Sequence, residues 1–395
     1  MPFTRRALLK AAAIAAPMLN LGRFRLFAAT NEHYSTRAVE LVQRATVIDM
    51  LNPLSLYAAL VDEDPKQSSW LKNPASFTAA DMQPFRDSGF NVLHIAVGTG
   101  GPDAYDSTLR FLSRWNGFIA HHTDWFTRVD SAETLAKVKG SGKLGIILGI
   151  QNSEHFRTVE DVDFFYSIGQ RVSQLTYNSR NMIGTGSTER NDSAISDFGV
   201  AIVERMNKLG MAVDVSHCGD MTSIDACAVS KQPVLITHAN CRALNPHPRC
   251  KTDEAIKRMA ASGGVMGITG VRMFVKGSEP TTIEDVLNHY DHVAKLVGVE
   301  HVGVGSDIDL NGYDALPEPI RKKLHAFYKA SYGFRDKDDI EGLNHPKRTF
   351  DLTEGLIRRG YSDSDIEGIL GGNFRRVLAK IWTVQPADKG NEKRG

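Results

Sequence analysis

Cysteine is scarce in this chain: four residues in 395, all between Cys218 and Cys250. None has CxxC spacing, which argues against a thiolate zinc cluster and leaves loop or core thiols as the reading. Neither sign of charge is in excess. Lys and Arg number 47 against 46 Asp and Glu, for a net charge of +1. That balance offers no footprint for nucleic acid or an anionic membrane surface. Internal repeats and low-complexity stretches are absent. There is no GxSxG nucleophile elbow, so serine hydrolase chemistry has no handle. Gly140-Ser141-Gly142-Lys143 lacks the earlier glycine of a P-loop and precedes a strand, and GTGG at 98–101 lacks dinucleotide-fingerprint spacing.

Long apolar runs are missing as well. The run from Ala11 to Leu21 is too short to span a bilayer as a mature helix. It follows Thr4-Arg5-Arg6-Ala7-Leu8-Leu9-Lys10, which resembles a twin-arginine export signal, and Phe27-Ala28-Ala29 supplies small residues for cleavage near Thr30. The expectation is a signal segment at 1–29, one domain at 30–382 and a polar tail at 383–395. The location would be periplasmic or otherwise exported, with no transmembrane span in the mature form.

Short apolar, β-branched runs alternate along the domain with longer amphipathic segments. The runs are Ala45–Leu51, Asn91–Val97, Leu144–Gln151, Arg171–Tyr177, Met211–His217, Pro233–His238, Gly264–Gly270 and His301–Asp307. Eight β-then-α units predict an α/β fold, a (β/α)8 TIM-type barrel with all strand C-termini on one face. Helical spacing is clear at Phe198–Leu209 before Gly210, and at Thr282–Val297 before Gly298. Ser364–Lys380 reads as two short helices with Asn373 near their junction. Segments 52–81 and 310–347 read as long insertions, the kind that form lids or interfaces. His121-His122 is expected on a helix surface.

Two runs end in histidine, MAVDVSH at His217 and PVLITH at His238. Neighbouring strands lie about 4.8 Å apart, so two imidazoles at equivalent strand ends are placed to share a metal ion. Gln151, Tyr177 and Asp307 end other runs, and convergent polar groups at a barrel mouth point to a ligand site. Asp307 is a candidate metal ligand or acid/base group, or alternatively an N-cap for the following turn. Arg249 is placed to pair with a substrate carboxylate, or to form an ion pair with Asp253 or Glu254.

Four stretches resemble the renal (membrane) dipeptidase family of binuclear zinc peptidases. They are SDFGVAIVERMNKLGMAVDVSH, KQPVLITHANCRALNPHPRCKTDE, DHVAKLVGVEHVGVGSDIDLNG and GGNFRRVLAKI. The resemblance runs from about Ala45 to Trp382. It implies a (β/α)8 barrel that hydrolyses dipeptides, in a family whose members often form homodimers. It also implies that His217 and His238 bind one zinc ion, that Asp307 binds the other and assists proton transfer, and that Arg249 meets the substrate carboxylate.

The chain departs from that pattern at the chemistry. The family's His-x-Asp pair after the first strand falls on Leu51 and Pro53, although Asp49 and Asn52 are retained. The bridging glutamate is Gln151, and a substrate-contacting histidine is Tyr177. A neutral glutamine cannot balance two divalent ions about 3.5 Å apart. The expectation is therefore one zinc ion or none, with Glu154 or His155 as possible replacement ligands. Three readings stand: a one-metal dipeptidase, an exported binding or tailoring protein that has lost hydrolysis, and a His/His/Asp metal enzyme of other chemistry, such as a non-haem iron site.

Overall fold

A computed structural model describes residues 34–53 and 67–383. The expected signal segment at 1–29, part of the first insertion and most of the polar tail lie outside the described residues. Among the described residues, no helix is long and apolar enough to cross a membrane.

Among the described residues, nine parallel strands form the sheet: β1 (Ile48–Asp49), β2 (Val92–Val97), β3 (Phe126–Arg128), β4 (Leu144–Ile150), β5 (Gln170–Gln174), β6 (Ala212–Asp214), β7 (Val234–Ala239), β8 (Met266–Ile268) and β9 (Val302–Val304). Eight close a ring, because β2 pairs with both β1 and β4 while β1 also pairs with β9. The (β/α)8 barrel expected from the sequence is present. The extra strand, β3, pairs with the first half of β4 from Phe126↔Leu144 to Arg128↔Ile146. Its three residues, Phe-Thr-Arg, are too few to show a period. Most of the described strands are shorter than their apolar runs, so several polar run ends lie one to three residues past their strand.

Local chemistry sets the helices around the ring. Helix Asp197–Leu209 begins where the Ser196 side chain accepts from Gly199 N–H, and ends at Gly210 with φ 80°. Helix Ile283–Val297 starts at a reciprocal capping box between Thr282 and Asp285. The C-terminal region is helical from Asp363 to Glu367, passes through a π turn over Gly368–Gly372, and continues as helix Asn373–Trp382. Asn373 hooks this last helix to the barrel by donating to Val299 O and Val302 O at 2.9 and 2.8 Å.

That helix decides which end of the barrel is open. Phe374, Val377, Leu378 and Ile381 pack in one cluster with Ile48, Val92 and Ile147 from the barrel strands and Val265 just before β8. Gly303 leaves room for the Phe374 ring, since a Cβ there would meet it at 2.4 Å. Burying that phenyl group contributes about 2–3 kcal/mol. Ile146 and Leu148, alternating with Ile147, belong to the larger cluster shared with the surrounding helices. The strand C-termini remain free to carry polar groups.

Asp49 ties β1 to β9 at that face. Its carboxylate accepts from Ser306 N at 2.8 Å, Ser306 Oγ at 2.5 Å and Asn52 Nδ2 at 3.2 Å, with Arg348 at 3.6 Å. Its survival in the sequence therefore has a structural reason. Gly305 is also explained by packing, because a Cβ there would meet Thr237 O at 1.8 Å. His122, expected on the surface, is buried and hydrogen-bonded to Pro74 O at 2.7 Å. The small Pro74–Ser76 turn packs over that side of the helix, which the helical pattern alone did not reveal.

Candidate functional site

His217 and His238 meet beyond β6 and within β7, with their Nε2 atoms 3.0 Å apart. Their outer nitrogens establish the tautomers. Asn178 Nδ2 donates to Tyr332 Oη at 3.2 Å, which leaves Asn178 Oδ1 to accept from His217 Nδ1–H at 2.8 Å. Thr237 Oγ1 donates to Asp214 Oδ2 at 2.7 Å, so it accepts from His238 Nδ1–H at 2.8 Å. Asp214 acts purely as an acceptor, taking Ser216 N–H, Ser216 O–H, Thr237 N–H and Thr237 O–H. Both neutral imidazoles thus turn a bare Nε2 lone pair toward the other. Burial pushes both pKa values well below the usual histidine value, and Arg249 adds to the effect.

Two lone pairs at that distance repel unless a cation lies between them. A tetrahedral metal ion with bonds of about 2.05 Å holds two nitrogens about 3.3 Å apart. The pair therefore fits one ion bound through Nε2, with both rings oriented by their Nδ1 partners. The expected three-ligand set is not assembled, since no three His, Cys, Asp or Glu side chains converge on a metal-holding position among the described residues. Asp307 follows β9 on a backbone with φ 54°. Its N–H donates to Leu51 O at 2.8 Å, and its C=O accepts from Tyr313 Oη. Burial raises its carboxyl pKa to about 7. The left-handed backbone, with no helix following directly, rules out the N-cap alternative.

The donor set of a second ion does not fit. Leu51 is fully buried and Pro53 offers no donor. Gln151 uses its amide to donate to Ala96 O at 3.1 Å. Neither replacement ligand joins the histidines. His155 is buried, with its ring nitrogens on Asn152 O and Gln170 Oε1 at 3.1 Å each, and Glu154 accepts from Asn152 at 3.0 Å.

Arg249 is almost fully buried and takes neither acidic neighbour. Asp253 accepts from His292, and Glu254 pairs with Arg258. Its Nη1 and Nη2 donate to Ser216 O and His238 O at 2.5 and 3.2 Å, clamping the two histidine-bearing strand ends together. Each terminal nitrogen gives one N–H to backbone and keeps a second, and Nε is unpartnered, so the guanidinium retains donors for a further role. Three of the four cysteines are buried, and burial pushes their thiols up, in keeping with core thiols.

Tyr177 stacks on His217, with centroids 4.1 Å apart, and meets Tyr328 Oη to Oη at 2.9 Å. Tyr328 stacks in turn on Tyr332 at 4.4 Å. These tyrosines divide the mouth. Inside is a cavity of about 50 Å³, with His217, Gln151, Asp307, Pro53 and Asp338 on its wall. Outside is an open cleft of about 690 Å³ that includes Gly98, Arg110, Asn152 and Glu154. The second insertion, expected as a lid, supplies Tyr328, Tyr332 and Asp338 to this region.

Sequence reasoning missed Asn178, Thr237, Tyr328, Tyr332 and Asp338. The first two adjoin singled-out strand-end residues, a signal available in principle. It also missed His94, a buried residue of β2. Its Nδ1 donates to Met50 O at 2.6 Å, its Nε2 is unpartnered, and burial lowers its pKa.

A family model described as membrane dipeptidase (peptidase family M19) matches residues 35–322 and 335–392. An uncharacterised dipeptidase of Schizosaccharomyces pombe is 30% identical over 288 residues, covering 71% of this chain and 62% of that protein. The chain spans about three-fifths of the length of the curated relatives it matches. An amidohydrolase from Pseudomonas aeruginosa superposes with a TM-score of 0.73 at 27% identity, covering 87% of this chain and 99% of the other. A metallopeptidase from Rhodobacter sphaeroides, solved with a phosphinate mimic of L-Ala-D-Ala, shares the fold at a TM-score of 0.68 and 19% identity, over 86% and 99% of the two chains.

Proposed function

The chain belongs to the membrane dipeptidase family of hydrolases, and on that premise we propose that it cleaves dipeptides or a related small amide with a single metal ion. The observation that carries this is the pair of bare Nε2 atoms 3.0 Å apart on His217 and His238. An ion held there would act as a Lewis acid toward the scissile carbonyl. The remaining work falls to the chain's own groups. Asp307, with a pKa raised to about 7, is suited to take a proton from the attacking water and return it to the leaving amine. Arg249 holds the two histidine strand ends in register, and Asn178 and Thr237 fix the ring tautomers. Tyr177 and Tyr328 close the inner cavity from the cleft, so part of the substrate would lie on each side once they separate.

A second reading, binding without hydrolysis, draws on the size of the outer cleft, which lies within the usual range of ligand pockets of roughly 300–1,000 Å³ and does not include the histidines on its wall. Metal analysis of the purified chain alongside a dipeptide panel separates the two. About one ion per chain with release of amino acids supports the one-metal hydrolase. An ion without turnover favours the binding reading, and no ion removes the metal from both. Restoring donors with Leu51→His, Pro53→Asp and Gln151→Glu is expected to raise the metal content to two.

Export belongs to the same proposal and rests on Arg5-Arg6 followed by the short apolar run. Replacing both arginines with lysine should retain the protein in the cytoplasm on cell fractionation. Unchanged export would rule out the twin-arginine route.

A further inference from the structure

Asp338 reaches the inner cavity from the chain after β9, which also gives Tyr313, Leu324, Tyr328, Tyr332 and Phe334 to the wall, across from strand-end residues such as Gln151 and His217. It is 1% exposed. Its Oδ2 accepts from His325 Nε2 at 2.8 Å, and its backbone N–H donates to Asp314 Oδ1 at 3.1 Å. Its Oδ1 is buried without a hydrogen-bond partner. A buried carboxylate oxygen left without a donor is costly, so its retention calls for an explanation beyond packing. Asp307 lines the same cavity, and no side-chain hydrogen bond reaches its carboxylate among the described residues. Burial raises the pKa of both groups.

Two carboxylates with open oxygens around one small space make a site for a cation that brings N–H donors. A divalent ion fits this half poorly. Besides the two aspartates, its wall offers the neutral Gln151 side chain, tyrosine hydroxyls and the His217 ring assigned above, among Pro53, Val271, Met273 and Leu324, whereas a hard ion needs several oxygen donors, chiefly carboxylates and carbonyls. An ammonium group needs fewer. A dipeptide whose carbonyl faces His217 has its α-amino group one carbon away, within reach of the same cavity of about 50 Å³.

We propose that Asp338 is a specificity-determining residue that recognises the free α-ammonium group of the substrate, opposite Asp307, in place of a second metal ion. His325 is a positioning residue, stacked on Phe334 at 4.2 Å and holding the Asp338 carboxylate through Oδ2. The proposal rests on the amide-cleaving reading above.

The test is calorimetric titration of the purified full chain with the ketomethylene isostere of Ala-Ala, which cannot be cleaved, and with its N-acetyl form. The wild type is expected to bind the free amine about tenfold or more tighter than the acetylated form, the scale of one charged hydrogen bond. Asp338→Asn should abolish that preference and leave affinity for the acetylated form within about twofold. His325→Ala, at a part-exposed position, should reduce the preference without abolishing it, and it serves if Asp338→Asn does not fold. Equal wild-type affinity for the two forms would overturn the proposal. So would a preference that survives Asp338→Asn, or His325→Ala if only that variant folds. If the wild type binds neither form, the amide-substrate reading falls, and this assignment falls with it.

Discussion

The Nε2 atoms of His217 and His238 face each other across 3.0 Å, and each ring donates its only proton outward, to Asn178 and Thr237 respectively. The arrangement is poised for a cation before any ligand arrives. The cost of holding it falls on the hydrogen bonds behind each ring, and these make it testable.

Asn178→Leu removes the acceptor that holds the His217 Nδ1 proton. The ring is then free to change tautomer or turn, and metal affinity is expected to fall about 10- to 100-fold, the range for lost outer-sphere partners. Competition with a chelating dye measures it. Unchanged affinity would mean that Asn178 does not set the tautomer.

Asp307→Asn is expected to lower turnover about 10²- to 10⁴-fold, the usual contribution of a positioned general base. In the wild type, kcat/KM should rise as pH increases through about 7, because burial raises the Asp307 pKa to that value and the ionised form is the base. A profile that is flat from pH 6 to 8 would remove Asp307 from the proton-transfer role.

Arg249→Met keeps most of the side-chain volume but leaves Ser216 O and His238 O without their guanidinium donors. The loss is expected to be about 2–3 kcal/mol of folding stability, read as a lower urea midpoint. If stability is unchanged and only KM rises, Arg249 serves the substrate directly rather than the strand ends.

His289 is buried in its neutral form, accepting from Cys241 N–H at Nδ1 and donating to Val275 O at Nε2. Burial lowers its pKa to about 4. Between pH 4 and 6.5 the unfolded chain therefore binds more protons than the folded one, and stability falls as the medium is acidified through that window. His155, also lowered to about 4 by burial, contributes in the same direction. Urea midpoints taken from pH 7 to 4 should decline, and His289→Ala, although less stable throughout, should decline less steeply.

Much of this protein was legible before any coordinates. The barrel could be read because each strand is a short apolar run and the helices between them keep a 3.6-residue period, as in Asp197–Leu209. The histidine pair could be read because parallel strands bring equivalent ends together. Leu51, Pro53 and Gln151 could be read as departures from the family's ligand pattern. The extra strand β3 was not legible, because Phe126–Arg128 is too short to show a period.

By itself, the sequence determined the ring of strands and the two histidines at its mouth, since both follow from periodicity and from where the apolar runs stop. Tertiary structure alone decided what surrounds those rings. Asp307 stands on a left-handed backbone and does not group with the two rings as a three-ligand set among the described residues, and Arg249 is drawn onto backbone carbonyls instead of an acidic neighbour. Asp338 comes to the cavity from an irregular stretch beyond helix Glu318–Phe327. Such placements depend on long-range chain paths and on which buried polar atoms find partners, and local patterns of residues do not encode either.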